Sequence, residues 1–486
     1  MSIEATLNLA LLIPLVGVAG IVLTANRPNL RETVTLITAA ALLLCVLRVL
    51  PPVLAGGRPE VTWFTMLPGI PLGLRVEPLG MLFSLIASLL WIVNSIYSIG
   101  YMRGNQEKHQ TRFYVCFAIA IFSAVGLAWS ANLATLFIFY EVLTLSTYPL
   151  VTHKGNEEAL RGGRTYLGIL LGTSIGLFLL AILWTWQAAG TLEFVPGGIL
   201  AGHLTGALVG VLLALYMYGI GKAALMPIHR WLPAAMVAPT PVSALLHAVA
   251  VVKAGVFTVV KVIVYVFGTQ LLLAESSADW LVYAAGITIL FASFVALRQD
   301  NLKRRLAYST ISQLSYVIMS AALFTPAAIM GAALHIAAHA FGKITLFFAA
   351  GSIYTAAHKS NVSELDGVGR QMPWTMTAFA IGSLSMIGVP PTAGFISKWF
   401  IISGGLAAEH VFALTVVCVS TILNAGYFLP IVYRAFFRRD EAQARHGEAP
   451  LPIVIAVTAT ALLTLLMFIA PGLPLALARG VVGGAG

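Results

Sequence analysis

Residues 219–248 read GIGKAALMPIHRWLPAAMVAPTPVSALLHA. The run is apolar enough for a bilayer, yet Pro227 interrupts it five residues after Lys222. A second run, SMIGVPPTAGFISKWFII at 385–402, places Pro390 and Pro391 just ahead of Lys398. Non-helical backbone at membrane depth is tolerated only where protein or water surrounds it. The two runs therefore predict two broken helices inside a helical bundle, with sites near the midplane at the breaks.

The composition agrees. Of 486 residues, 59% are hydrophobic and 9% charged, against about 25% charged in soluble domains. The pattern is that of an all-α polytopic membrane protein with no soluble domain. About fourteen apolar segments are long enough to span. They lie near 5–24, 32–50, 76–100, 113–129, 132–151, 165–187, 205–226 with a continuation to 237, 242–268, 279–297, 306–324, 327–357, 373–403, 411–433 and 451–470. No basic stretch precedes the first of them, so a cleaved signal peptide is not expected. Cys45, Cys116 and Cys418 lie in separate apolar runs without metal-ligand spacing and read as small buried hydrophobes.

The net charge of +10 is a topology signal and not a nucleic-acid one. Basic residues follow alternate spans: Arg27/Arg31, Arg103/Lys108/Arg112, Lys154/Arg161/Arg164, Arg298/Lys303/Arg304/Arg305, Lys359/Arg370 and Arg434/Arg438/Arg439/Arg445. The positive-inside rule makes these loops cytoplasmic and puts both termini outside, in a cell inner (plasma) membrane. Arg48, Arg58, Arg75 and Arg479 run against the pattern. Broken helices five spans apart run in opposite directions, which predicts two inverted repeats. The expected units are 1–112 (three N-terminal helices), 113–268 (helices four to eight), 279–437 (helices nine to thirteen) and 451–486 (the last helix and tail).

A charge at the centre of a spanning helix costs about 2.5–3.5 kcal/mol, so each one needs a reason. Glu141 sits mid-span in NLATLFIFYEVLTLSTYPLV and is expected to be the intramembrane carboxylate. Lys222 is expected to partner it. Such a lysine is loaded or emptied by moving one neighbour, or it caps carbonyls freed by the proline. The eighth span carries His247, Lys253 and Lys261, of which Lys261 lies nearer the outer end, where it can snorkel. In ALHIAAHAFGKITLFFAAG, His335, His339 and Lys343 recur at four-residue steps and stack on one helix face. Histidines in such a row can accept and donate protons in turn. A metal reading of the pair lacks a third ligand. Lys398 is the natural terminal station. Tyr308, Ser309, Thr310, Ser312, Gln313 and Ser315 supply hydroxyls and an amide beside this row, either ordering water or bonding helix to helix.

These residues resemble a known family. KAALMPIHRWLPAAMVAPTPVSALLHA, NLKRRLAYSTISQLSY, HIAAHAFGKITLFFAAG and IGVPPTAGFISKW are similar, in order, to signatures of the antiporter-like subunits of Mrp antiporters, membrane-bound hydrogenases and complex I. The resemblance implies fourteen helices, two inverted five-helix repeats and a hydrophilic axis in the membrane plane. It matches Glu141 to the fifth-helix glutamate, Lys222 to the seventh-helix lysine and Lys253 to the bridging lysine of the eighth helix. His335, His339 and Lys343 match the eleventh-helix residues, and Lys398 the twelfth-helix lysine. It implies homologous and small membrane subunits as partners, protons as cargo, and Na+ at the level of the complex. No cofactor or metal is expected. Met236, where many complex I members have histidine, and the short C-terminal end point toward the MrpD-like type of Mrp antiporter subunit. The alternatives are the pump module of a redox-driven complex, a stand-alone transporter, a purely structural role with a vestigial relay, or inorganic-carbon uptake with a soluble partner.

Overall fold

The computed structural model describes residues 2–439 and 447–483. Helices α1 (Ile3–Leu23) and α2 (Pro28–Leu54) lead into a hairpin of β1 (Glu60–Leu67) and β2 (Ile70–Arg75). Then come α3 (Pro78–Gly104), α4 (Gln110–Ala128), α5 (Leu133–Val151), α6 (Glu157–Ala189) and α7 (Ala207–Gly219). The second half holds α8 (Thr240–Phe267), α9 (Ser276–Arg298), α10 (Leu302–Ala321) and α11 (Pro326–Ala357). The last elements are α12 (Pro373–Ile387), α13 (Ala393–Ala407), α14 (Val411–Phe437), α15 (Leu451–Ile469) and α16 (Gly472–Gly483).

Starts and stops follow local chemistry. Asn132, Asn156, Asn301 and Thr325 accept a hydrogen bond from a first-turn amide of α5, α6, α10 and α11. Proline opens α2, α3, α11 and α12, where its missing N–H costs nothing.

Among the described residues, eleven helices are long and apolar enough to cross a membrane. The remaining spans are α10, whose polar face lowers its hydropathy, the broken stretch that follows α7, and the half-helices α12 and α13. The helical reading therefore holds, with three corrections. The β1–β2 hairpin between the second and third spans was not expected, because its first strand is largely exposed and shows no buried face. A short helix, α16, follows the last expected span. Cys418 is exposed rather than buried, because it lies on an outward face of α14. Arg445 and residues 484–486 lie outside the described residues.

The helices are not equivalent. The most apolar stretches of α8 and α11 are 100% buried, whereas those of α1, α2, α6, α14 and α15 are 33–39% buried. Two helices thus occupy the centre and the others turn apolar side chains outward. Every ionisable side chain within the buried stretches of α8 and α11 consequently faces protein, the arrangement expected for intramembrane charge.

The breaks are closed by side chains. After α7, Gly221 O accepts from Trp231 Nε1 at 2.9 Å, Met226 N–H donates to Thr288 Oγ1 at 3.3 Å, and Ala238 O accepts from Lys303 Nζ at 2.5 Å. After α12, Met386 O accepts from the amides of Gln313 and Asn424 at 3.4 and 3.3 Å. Ile387 O accepts from Lys398 Nζ at 2.8 Å. Gly388 makes the turn at φ +91°, with the Lys398 stem where a Cβ would go.

At Gly255 a Cβ would fall 2.3 Å from Ala223 N and 2.4 Å from Lys222 C, so α8 presses directly on the first break. Gly255→Val should cost about 1–3 kcal/mol through overpacking. A lowered melting temperature of the detergent-solubilised protein is the expected outcome, and an unchanged one would mean that α8 and the break are not held in contact.

Candidate functional site

Lys222 occupies a short 3-10 turn, Gly221–Ala223, immediately after α7 and is fully buried. Its Nζ donates to Tyr140 O at 2.8 Å and Thr144 Oγ1 at 2.5 Å, and stands 3.1 Å from the centre of the Tyr140 ring. Its backbone N–H donates to the Tyr140 hydroxyl at 3.2 Å. The expected ion pair with Glu141 is therefore not a contact in this structure. Glu141 follows Tyr140 on α5, half-buried, and its shielded oxygens accept no hydrogen bond from the described residues. The lysine is held by a carbonyl, a hydroxyl and a π face instead.

A second cluster lies where α8 crosses α11. Lys253 Nζ is in direct contact with His339 Nδ1. An amine nitrogen and a ring nitrogen at hydrogen-bond contact need a hydrogen between them, donated by one and accepted by the other. The His339 ring stacks on His335 with centroids 6.2 Å apart and planes at 28°. His335 is held at both nitrogens, Nδ1 by Ser397 Oγ at 2.9 Å and Nε2 by Gln313 Oε1 at 3.0 Å. Those engagements point the two histidines at different partners and not at a shared metal position. His247, in the π-helical turn Leu245–Val249 of α8, is fully buried. It packs 4.7 Å from Phe347 with neither nitrogen bonded to the described residues.

The row continues through α10. Ser309, Gln313 and Tyr316 share its inner side. Ser309 Oγ accepts from Lys343 Nζ at 2.8 Å and from the Tyr427 hydroxyl at 3.0 Å. Tyr427 in turn contacts Asn424. The Tyr316 ring lies 5.6 Å from His335 and 4.9 Å from Lys398 Nζ. Lys398, besides capping Ile387 O, donates to Thr421 Oγ1 at 3.1 Å. So Lys253, His339, His335 and Lys398 form one buried row with Lys343 beside it. Lys222 stands apart, reached only through the backbone contact at Gly255.

Sequence reasoning missed several of these partners. Tyr140, Thr144, Ser397, Thr421, Asn424 and Tyr427 lie on the same helices as residues it did name or on the neighbouring α14, so the available signal was helical periodicity around known stations. It also missed Glu77, which pairs with Lys261 at 3.2 Å with both side chains 1% exposed. Glu141 is therefore not the lone carboxylate withdrawn from water, and Lys261 does not snorkel. Glu77 was hidden because it precedes a helix, where acids are ordinary.

The loops that carry the basic residues surround a cavity of about 340 Å³ lined by Tyr101, Lys154, Glu158, Thr240, Lys303 and Lys359, among others. Beside it, in the α3–α4 loop, burial raises the Glu107 carboxyl, partly offset by Lys154 and Lys303. After α5, burial lowers His153 to about 4, aided by Arg112.

A family model described as NADH:quinone oxidoreductase/Mrp antiporter, TM, matches residues 130–424, a range that contains every station above. The chain is 31% identical over 383 residues to NADH-quinone oxidoreductase subunit N of Desulforudis audaxviator, covering 78% of this chain and 75% of that one. It is 30% identical over 455 residues to a fused subunit of a probable K(+)/H(+) antiporter of Rhizobium meliloti, covering 90% of this chain and 44% of the longer relative. It is 30% identical over 403 residues to NADH-quinone oxidoreductase subunit L of Campylobacter jejuni, covering 80% of this chain and 64% of that one. Its fold superposes on a chain of the Mrp complex from Dietzia sp. with TM-score 0.87, at 21% identity over 99% of this chain and 97% of that one. A chain of an archaeal membrane-bound sulfane sulfur reductase matches over the same shares with TM-score 0.84 and 23% identity. With the match covering more than half its length, the chain belongs to the NADH:quinone oxidoreductase/Mrp antiporter transmembrane family.

Proposed function

We propose that this chain is the proton-translocating subunit of a multisubunit monovalent cation/proton antiporter. The observation that carries the reading is the buried row from Lys253 through His339 and His335 to Lys398, in which each member contacts the next or shares a polar or aromatic neighbour with it. Protons enter from the cavity among the basic loops, reach Lys222 and Lys253, and leave by His339, His335, Lys343 and Lys398. Glu141, beside Lys222, biases its protonation through space, and His247 sits near Lys253 on α8 as an accessory acceptor. The other cation crosses elsewhere in the complex, since a sodium site needs several oxygen ligands at close range and the row is built mainly of nitrogens. The basic loops face the cytoplasm of a cell membrane, with both termini outside. The partners are homologous and small membrane subunits.

A second reading is supported by the names of the Desulforudis relative and of the sulfane sulfur reductase: the same row as the pump module of a redox-driven complex. Gentle extraction of the tagged chain and mass spectrometry of what co-purifies separates the two. Membrane subunits alone are expected; iron–sulfur subunits would favour the redox reading.

Lys222→Ala should leave assembly intact and abolish cation-driven proton transport in everted vesicles, and wild-type transport by an assembled variant would sink the relay. His335→Ala removes a proton carrier and should cost on the order of 100-fold in rate. Ser309→Ala, which removes one hydrogen-bonded hydroxyl next to Lys343, should cost only about 5-fold. Equal losses in the two would mean that packing, and not proton passage, sets the rate.

A further inference from the structure

The Glu77–Lys261 pair lies outside the row. Besides facing Glu77, Lys261 Nζ donates to Ser130 O at 3.1 Å and lies 4.0 Å from the Phe194 ring. Glu77 stands at the N-cap position of α3, yet its side chain caps no amide there. The ordinary reason for an acid at that position is thus absent. Neither of its oxygens accepts a well-formed hydrogen bond from the described residues, and the Tyr265 hydroxyl, one turn beyond Lys261, is likewise buried and unbonded. A buried ion pair that serves only as an anchor is favourable when further hydrogen bonds satisfy its remaining atoms. This pair leaves them open.

Both ends of the pair lead somewhere. Toward the interior, Lys253, Phe257 and Lys261 recur at four-residue steps along α8, so they share one side of the helix. The two lysines are about 12 Å apart along its axis. Phe257 fills the interval, packed 5.3 Å from Phe83 and 5.7 Å from Lys261 Nζ. Toward the surface, Arg75 lies two residues before Glu77 and bridges Glu60 at 2.8 Å and Glu193 at 3.5 Å. Those two carboxylates are 60% and 41% exposed. Arg58 is the other charge acting on Lys261 from this side.

We propose that Glu77 and Lys261 form a terminal proton station at the hairpin end of the bundle, serving the half that contains Lys222 and Lys253. Lys261 passes a proton from Nζ to Glu77 Oε2, so that ammonium and carboxylate become amine and carboxylic acid. Glu77 releases that proton to water at the surface beside Arg75 and Glu193 and returns to carboxylate. The Lys261 amine takes the next proton from water that extends toward Lys253 when the Phe257 ring swings aside. The first half then has its own outlet, separate from the one at Lys398. This rests on the proton-transport reading above.

The test uses the whole complex in everted vesicles, with assembly followed by native gel and transport by a pH-sensitive dye. Lys261→Arg keeps the ion pair but carries a guanidinium that does not give up its proton. The double variant Glu77→Gln, Lys261→Met replaces the pair with a neutral one of similar volume, which a purely structural pair tolerates. Both variants are expected to assemble and to lose transport at least about tenfold, the equivalent of about 1.4 kcal/mol. Wild-type transport by either assembled variant overturns the proposal. Failure of both to assemble also overturns it, making the pair an anchor for the hairpin. Lys222→Ala is run alongside: if it too transports normally, the proton reading itself fails, whereas if it alone is inactive, only the outlet at Glu77 and Lys261 is lost.

Discussion

Lys253 meets His339 where the two helices that are buried on every side cross, and the rest of the arrangement depends on keeping that contact dry. In a low-dielectric interior an unpartnered polar group is costly, and a paired one interacts more strongly than it would in water. Placing the amine and the imidazole on α8 and α11 means that each brings the other its partner. It also means that neither can be moved without repacking helices that touch most of the bundle. The outward-facing helices α1, α2, α6, α14 and α15 have no such charge to accommodate at mid-span, and their burial is correspondingly shallow.

The breaks follow from the same constraint. Interrupting a helix frees carbonyls, and inside a bilayer those carbonyls have to be met by other protein groups. Lys398 meets Ile387 O, while Gln313 and Asn424 meet Met386 O. At the first break Lys222 reaches back to Tyr140 O and Thr144. The lysines therefore serve the fold and the site at once. A carbonyl can be held by an amine as well as by an ammonium, because both carry N–H donors, so these positions keep a structural partner in either protonation state.

Most of the fold was legible because its signals are local. Apolar length, the prolines of the two breaks and alternating basic loops need no knowledge of neighbours, and they located the expected spans. His335, His339 and Lys343 were legible as a row because their spacing fixes a common helix face. What was not legible depends on packing between distant segments. Glu77 finds Lys261 across 184 positions of chain, and nothing near either residue announces the other. The hairpin was missed for a related reason: residues 60–67 lie largely exposed, so no buried face marks them. The Glu141–Lys222 contact was expected because opposite charges usually meet. The structure instead commits the lysine's donors to a carbonyl and a hydroxyl, leaving the carboxylate beside the site but unbonded.

That separation bears on how a row of this kind can move charge in one direction. Two unit charges at the 6.2 Å spacing of the His335 and His339 rings repel by about 2.7 kcal/mol at an effective dielectric constant of 20, roughly a hundredfold in occupancy. Neighbouring stations are therefore not charged together, and a proton arriving at one end favours departure at the next. A carboxylate in permanent contact with Lys222 would hold a charge there and stop the sequence at its first step. A carboxylate near it, but without a direct bond, can assist loading without trapping the charge. On this argument the absence of an ion pair between Glu141 and Lys222 is what leaves the first station free to empty, while the one tight pair on the same half, Glu77 with Lys261, stands at the far end of α8, where a proton has already crossed the interior.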